Sequence, residues 1–400
     1  MFFQHLSMQQ RAIYIYIYIY INQTHQHFKN QKTQQALLYL HWLETDSIEE
    51  DMIMNSPISF LAIILVVLHI VSSVSASYAY DPQKIDPSLK SPKMTQDILS
   101  MVDDLSFPYY DESCPGVEGI ISRKVKEWVQ KDSTIAPSLI RLHFHDCAIR
   151  GCDGSILLDY DGSERKANAS KTLRGFEVID DIKAEIEKKC PKTVSCADIL
   201  TSAAREATVE VGGPFWMVPY GRKDGRVSHA AEAEMVPMGH EKVTDLIEFF
   251  QSKGLNVLDL VVLSGMHTIG RSTCSALQYR LYNFQGTGQP DPSINPQYLN
   301  FLRRKCRWAS EYVDLDATTP KTFDIDYYKN LENNMGLLST DQILYSDSRT
   351  FPLVTAMATQ PPVFYSQMAV SMAKLGNIQD YSSEDGGEIR ANCNYVNPSY

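Results

Sequence analysis

Among 400 residues there is no Cys-x-x-Cys pair, no cluster of basic residues and no repeat of fixed period. Each absence removes a class of function. Without closely paired cysteines a zinc ribbon is excluded. Lys and Arg number 37 against 48 Asp and Glu, for a net charge of −11, so no positive patch exists to track a nucleic acid. The lack of a repeat argues against a solenoid or propeller, and the scarcity of alternating apolar and polar residues argues against a sandwich or barrel. Long hydrophobic runs are also missing. The longest, Phe60–Val71, falls short of the roughly 20 residues a spanning helix needs.

That run has another use. Residues 54–79 carry no Asp, Glu, Lys or Arg, and the small-residue triplets Val74-Ser-Ala76 and Ser77-Tyr-Ala79 follow the apolar core. This is the layout of a secretory signal peptide without its basic start, with Met52 or Met54 as a natural first residue. Upstream, Ile13 to Ile21 is a strict Ile/Tyr alternation, which alternating A and T nucleotides encode when read in triplets. Residues 1–53 are therefore read as translated leader with no fold of their own, 54–79 as signal peptide, and 80–106 as a flexible mature N-terminus. The folded domain is expected over 107–400. All eight cysteines lie in it, and an even set spread over a whole domain suggests four disulfides formed in an oxidising compartment.

Within the domain the dominant period is helical. Val117, Ile120, Ile121, Val125 and Trp128 make one stripe. Val243, Leu246, Ile247 and Phe250 make another, stopped by Gly254. Ser195 is a good N-cap for the run Ile199, Leu200, Ala203, Ala204 and Ala207, and Phe364, Met368, Met372 and Leu375 form a stripe ending before Gly376. The expected class is mainly α.

Chemistry concentrates in Arg141-Leu-His143-Phe-His145-Asp146-Cys147-Ala-Ile149-Arg, continued by Gly151-Cys152-Asp153-Gly-Ser155. Pro137 can open a helix here, yet Ile140, Leu142 and Phe144 alternate with Arg141, His143 and His145 as on a strand. On a strand the two histidines share a face and can grip one metal, as in a zinc hydrolase. On a helix Arg141 and His145 are neighbours one turn apart, and His143 points elsewhere. A guanidinium beside an imidazole suits proton transfer with anion stabilisation. A second imidazole, His267, follows Asp259-Leu-Val-Val-Leu-Ser-Gly-Met266, far downstream.

These two segments resemble the distal and proximal signatures of the class III plant secretory peroxidases, and the likeness runs from about Tyr109 to Cys393. The resemblance selects the helix over the strand. It implies the haem peroxidase fold, helical lobes sandwiching one haem b, with two calcium ions. By position, His267 would be the haem iron's axial ligand with Asp341 hydrogen-bonded to it. Arg141 and His145 would be the catalytic pair that cleaves hydrogen peroxide, and Phe144 would limit access on the distal side. Asp146, Asp153 and Ser155, with the carbonyls of Ile149 and Gly151, would hold one calcium. Thr268, Asp316, Thr319, Thr322 and Asp324 would hold the other. The implied disulfides are Cys114–Cys190, Cys147–Cys152, Cys196–Cys393 and Cys274–Cys306, and Asp198 with Arg222 would form a buried ion pair.

The activity so implied is reduction of hydrogen peroxide with one-electron oxidation of small phenolic donors, such as those of cell-wall coupling, by a secreted monomer in the cell wall or vacuole. Neither nucleic acid nor, after signal cleavage, membrane is expected as a partner. Three positions depart from the family's pattern. Ser170 stands where an Asn, held by a Glu matching Glu164, usually seats the distal imidazole, and it also completes a glycosylation sequon, Asn168-Ala-Ser170. Met266 replaces a small residue before the iron ligand. Pro237-Met-Gly-His240 stands where Pro-x-Pro-Phe commonly lines the donor entrance, with Pro237 retained. Ser170 and Met266 motivate one alternative, a haem- and calcium-binding wall protein without turnover.

Overall fold

The computed structural model describes residues 105–379 and 386–398. The expectations for 1–53, 54–79 and nearly all of 80–106 fall outside them. Thirteen α-helices build the described part, and the only sheet among these residues is a pair of three-residue strands. Four helices form the first half: α1 (Val117–Lys131), α2 (Ile135–Arg150), α3 (Phe176–Lys189) and α4 (Cys196–Glu210). The short α5 (Ala230–Ala233) leads to α6 (Val243–Ser252) and α7 (Val257–Ser264). Strand β1 (Arg271–Thr273) and helices α8 (Cys274–Tyr282) and α9 (Pro296–Lys305) follow, and then β2 (Tyr312–Asp314). The chain closes with α10 (Asp326–Glu332), α11 (Ser339–Ser346), α12 (Phe351–Thr359) and α13 (Pro361–Gly376).

The stripes read from the sequence are the faces that pack. Ile121 and Val125 of α1 are fully buried, as are Ile199, Leu200, Ala203 and Ala207 of α4. Helix α4 is the axle: α1, α2 and α3 all pack on it, and even its polar residues are inside. Ser195 caps it as expected, accepting from Asp198 N at 3.1 Å. Buried Asp198 meets Arg222 at 2.8 Å and also accepts from Tyr110 Oη at 2.7 Å. Arg222 in turn donates to the Gly376 carbonyl at the end of α13. Removing either charge of this pair would strand the other, a loss of about 3–5 kcal/mol.

A second, smaller core holds Leu277, Leu281, Ile294, Tyr298, Leu302 and Val313. It belongs to the excursion between β1 and β2, which pair antiparallel with Ser272 opposite Val313. Cys274–Cys306 closes this excursion near its base. The other bridges are Cys114–Cys190, Cys147–Cys152 and Cys196–Cys393, the same four pairs that the family resemblance implies. No described cysteine is free. No helix among the described residues is long and apolar enough to cross a membrane.

Candidate functional site

Residues 135–150 are one helix, so the strand alternative for this segment is overturned, and with it the zinc site shared by His143 and His145. The alternation that suggested a strand has a physical cause. Helix α2 is buried on almost every side, so its polar residues mark chemistry rather than a solvent face. His143 points into the protein against Cys147 Sγ at 3.4 Å, and burial, reinforced by the Arg222 charge, pushes its pKa down to about 3. Among the described residues, the only group of three or more His, Cys, Asp or Glu side chains close enough to grip a metal is His143, Cys147 and Cys152. Those two sulfurs are bonded to each other.

Arg141 and His145 lie one turn apart. Arg141 donates to Thr172 Oγ1 at 2.8 Å and to the Ala169 carbonyl at 3.3 Å, which ties the helix to the loop carrying Ser170. Burial lowers the guanidinium to about 10. His145 is 3% exposed, and burial, then the Arg141 charge, push it down to about 3. The imidazole is therefore neutral across the ordinary pH range and able to accept a proton. Phe144 is half-buried, edge-on to His145 with ring centres 6.0 Å apart and stacked on Phe250 at 6.3 Å.

Behind His145 the polar groups do not meet. His145 Nδ1, Ser170 Oγ and Glu164 Oε1 are buried, each without a hydrogen-bond partner among protein groups. Glu164 Oε2 does accept from Ser155 Oγ at 3.2 Å. Burial, then the charges of Asp146 and Asp153, raise Glu164 to about 9.

The second histidine stands on a tight turn, Gly265–Thr268, that continues α7. Gly265 is obligatory there, because a Cβ would collide with Tyr328 Oη and the Phe364 ring. Gly265, Met266 and Thr268 are buried, whereas the His267 side chain keeps 36% exposure. The imidazole is thus the part of this turn that reaches out of the core. Its Nδ1 donates to Asp341 Oδ1 at 2.7 Å, which leaves the Nε2 lone pair available to a metal. Burial would lower this histidine, but the Asp341 charge and hydrogen bond outweigh it and the net shift is upward. The Arg141 charge opposes that rise, so the cation of α2 is within electrostatic reach of His267. Asp341 is fixed by the Leu338 N–H at 3.1 Å and by Tyr327 Oη at 3.1 Å.

Both oxygen-rich loops close up. Asp146, at the end of α2, accepts from Gly154 N at 3.0 Å and Ile156 N at 3.4 Å, while Asp153 accepts from Ser155 N at 2.9 Å. Gly154 needs its lack of Cβ, since one would press on Arg390 at 2.7 Å with φ at 69°. Burial and the neighbouring carboxylate raise Asp146, and burial brings Asp153 to about 6. The Ile149 carbonyl accepts from Lys253 Nζ at 2.8 Å, and that of Gly151 accepts from Asp153 N at 2.9 Å. In the other loop Thr319 Oγ1 is 3.0 Å from Asp324 Oδ1, and Thr268 Oγ1 is 3.4 Å from the Thr322 carbonyl. Asp316 uses Oδ1 for Thr318 N, Thr319 N and Asn330 Nδ2, leaving Oδ2 turned to Thr319 Oγ1 at 3.5 Å. Both donor sets are all oxygen, which suits calcium.

Pro237 is half-buried beside exposed Met238 and His240, and His240 sits edge-on to Tyr279 at 5.8 Å. The Gly239 carbonyl accepts from Ser339 Oγ at 2.9 Å, two residues from Asp341. Asn168 is exposed, as a glycosylation acceptor must be. Sequence reasoning did not find Tyr327, Thr172 or Ala169. The Tyr327-Tyr328 pair just after Asp324 was the available signal for the first.

A family model described as peroxidase matches residues 121–360. Among curated proteins of Arabidopsis thaliana, Peroxidase 7 is 56% identical over 305 residues, covering 76% of this chain and 87% of the relative. Peroxidase 49 is 44% identical over 301 residues, covering 73% and 91%, and Peroxidase 10 is 44% identical over 306 residues, covering 74% and 87%. The chain belongs to the plant secretory peroxidases. It is a haem peroxidase, an enzyme that reduces peroxide at the expense of an electron donor. Nothing in its comparisons favours the non-catalytic alternative. The residues present fit the cofactor: a partly exposed imidazole with a carboxylate behind it is what haem iron takes as an axial ligand.

Proposed function

We propose that this peroxidase is a secreted enzyme in which His267 ligates haem b, His145 and Arg141 act on hydrogen peroxide, and phenols serve as donors. The observation that carries the reading is the contrast between the two histidines. His267 has its Nδ1 committed to Asp341 at 2.7 Å and its ring partly exposed, whereas His145 is buried, neutral and one turn from a fixed cation. Bound haem supplies the electron transfer, two electrons to peroxide and one from each donor. The chain supplies proton handling and charge. His145 takes a proton from hydrogen peroxide and returns it to the departing oxygen as water forms. Arg141, braced by Thr172 and Ala169, stabilises the negative charge that develops on that oxygen. Asp341 lends anionic character to His267, and Tyr327 holds Asp341 in place.

Two calcium ions complete the reading, one in the loop from Asp146 to Ser155 and one among Thr268, Asp316, Thr319, Thr322 and Asp324. Each loop is covalently continuous with one histidine, Asp146 following His145 and Thr268 following His267. Four disulfides support passage through an oxidising compartment. The test is a pair of variants. His267→Ala is expected to lose haem, whereas His145→Leu keeps haem and slows the peroxide reaction by ~10²–10⁴. Equal haem loss in both, or full activity in both, overturns the assignment.

A further inference from the structure

The proximal histidine is the inner end of an unbroken series of aromatic rings. Tyr327 lies edge-on to His267 with centres 6.2 Å apart, and Tyr327 and Tyr328 meet at 5.0 Å. Tyr328 meets Phe364 at 5.2 Å, and Phe364 meets Tyr365 at 5.8 Å. Phe323 runs alongside, stacked on Phe364 at 5.7 Å and edge-on to Tyr365 at 5.7 Å. All these separations are those of rings in contact. The first three rings after the histidine are fully buried, while Tyr365 is only half-buried, next to exposed Pro361, Pro362 and Val363 at the start of α13. The series therefore begins at the iron ligand and ends at the surface. Gly265 holds it tight to the turn of His267, since only a glycine lets Tyr328 and Phe364 approach so closely.

We infer that Tyr365 is a second oxidation site, where phenol groups carried on a polymer give up electrons through Phe364, Tyr328 and Tyr327 to the haem side. The inference rests on the peroxidase reading above, which supplies the oxidant. Proton placement says which rings carry a radical. Tyr328 donates its hydroxyl to the carbonyl of Val261 at 3.1 Å, and a carbonyl is too weak a base to take that proton. Tyr328 and Phe364 are thus bridges. Tyr327 donates to the Asp341 carboxylate at 3.1 Å, which fixes its ring against His267. Tyr365 donates to the Phe323 carbonyl at 2.5 Å and lies at the surface, where water accepts a proton.

In each cycle Tyr365 loses one electron inward and one proton to water, leaving a neutral tyrosyl radical. A phenol on the polymer then gives that radical an electron and a proton, restoring Tyr365 and becoming a phenoxyl radical. Two such events consume one hydrogen peroxide: two phenols and one peroxide give two phenoxyl radicals and two waters. No other oxidant is required.

The experiment uses the haem-loaded enzyme, hydrogen peroxide, and two donors of the same chemistry: free ferulate, and ferulate esterified to a soluble dextran. Tyr365→Phe keeps the ring on Phe323 and Phe364 but removes the hydroxyl. Its oxidation of the dextran donor is expected to fall by about tenfold or more, with the free donor unchanged. Independently of turnover, freeze-quenched enzyme given peroxide alone should show a tyrosyl radical, and a nitroso spin trap should mark the peptide holding Tyr365. Equal effects on both donors, or no trap adduct at Tyr365 in the unaltered enzyme, overturn the proposal. A failure of the peroxidase reading looks different, because the unaltered enzyme would then oxidise neither donor.

Discussion

Ser170→Asn is the substitution on which the structure makes its sharpest statement. Three buried polar atoms meet no protein partner there: His145 Nδ1, Ser170 Oγ and Glu164 Oε1. The serine hydroxyl bonds to neither of the other two, whereas a carboxamide offers an acceptor and two donors on a longer arm. Its oxygen can accept from His145 Nδ1–H while its nitrogen donates to Glu164 Oε1. The backbone is ready for it, since Ser170 is fixed in a tight turn by its N–H to the Ala167 carbonyl at 3.1 Å. Each hydrogen bond gained contributes about 0.5–1.5 kcal/mol, so stability should rise by roughly 1–3 kcal/mol. The kinetic gain is bounded by what partners of functional histidines are usually worth, ten- to a hundredfold or about that in metal sites.

Stopped-flow mixing with peroxide reads the first step directly, and a second mixing with phenol reads donor oxidation. The variant should speed the first and leave the second alone, because in the proposed mechanism His145 acts only on peroxide. The change also deletes the Asn168 sequon, so both proteins must be made without glycans. A peroxide rate that stays flat or falls would falsify the argument that His145 is loosely held. It would mean that the loop seats the ring by packing alone.

Other outcomes follow from the same geometry. The peroxide rate should fall on acidification with a midpoint well below 6.5, toward about 3, and Arg141→Leu should move that midpoint upward by removing the positive neighbour, as a pH series would show. Stability should follow the same sign: with folded pKa values below the unfolded one, the contribution of neutral His143 and His145 is complete above about 6.5 and lost as pH falls toward 3. Melting temperatures that do not move over that interval would refute it. Calcium removal, verified by metal analysis, should perturb the haem absorption before the helices melt, because each loop adjoins one histidine while the disulfides hold the chain. An unchanged spectrum in metal-free enzyme would break that link.

Much of this site was legible in the sequence because its parts are local. Arg141, His145 and Asp146 fall within six residues, and Ser195 and Gly254 announce helix ends by their own chemistry. What periodicity could not decide was whether 139–146 is helix or strand. A helix buried on all sides carries no solvent-facing stripe, so its few polar residues report function, and two histidines two apart imitate an alternating strand. Nor could sequence alone pair eight cysteines, for which about a hundred arrangements exist. Tyr327 was missed for a related reason. Its bond to Asp341 joins two different helices, and nothing in the residues between them signals that the two meet.

The same burial that hid α2 in the sequence sets what the rest of the fold must do. One helix holds Arg141, His143, His145 and Asp146, and His145 Nδ1 lies buried there without a hydrogen-bond partner. Such groups are costly inside a protein, about 1–3 kcal/mol for each buried partnerless atom. The elements around α2 are correspondingly over-determined. Helix α4 packs along it with almost no exposed residue, and Cys147–Cys152 pins its C-terminal turn to the oxygen-rich loop. Cys196–Cys393 ties the start of α4 to the far end of the chain, and Arg222 joins α4 to α13 through Asp198 and the Gly376 carbonyl. The elements that brace this half of the molecule thus lie around α2 rather than on it, while His145 Nδ1 stays without a partner.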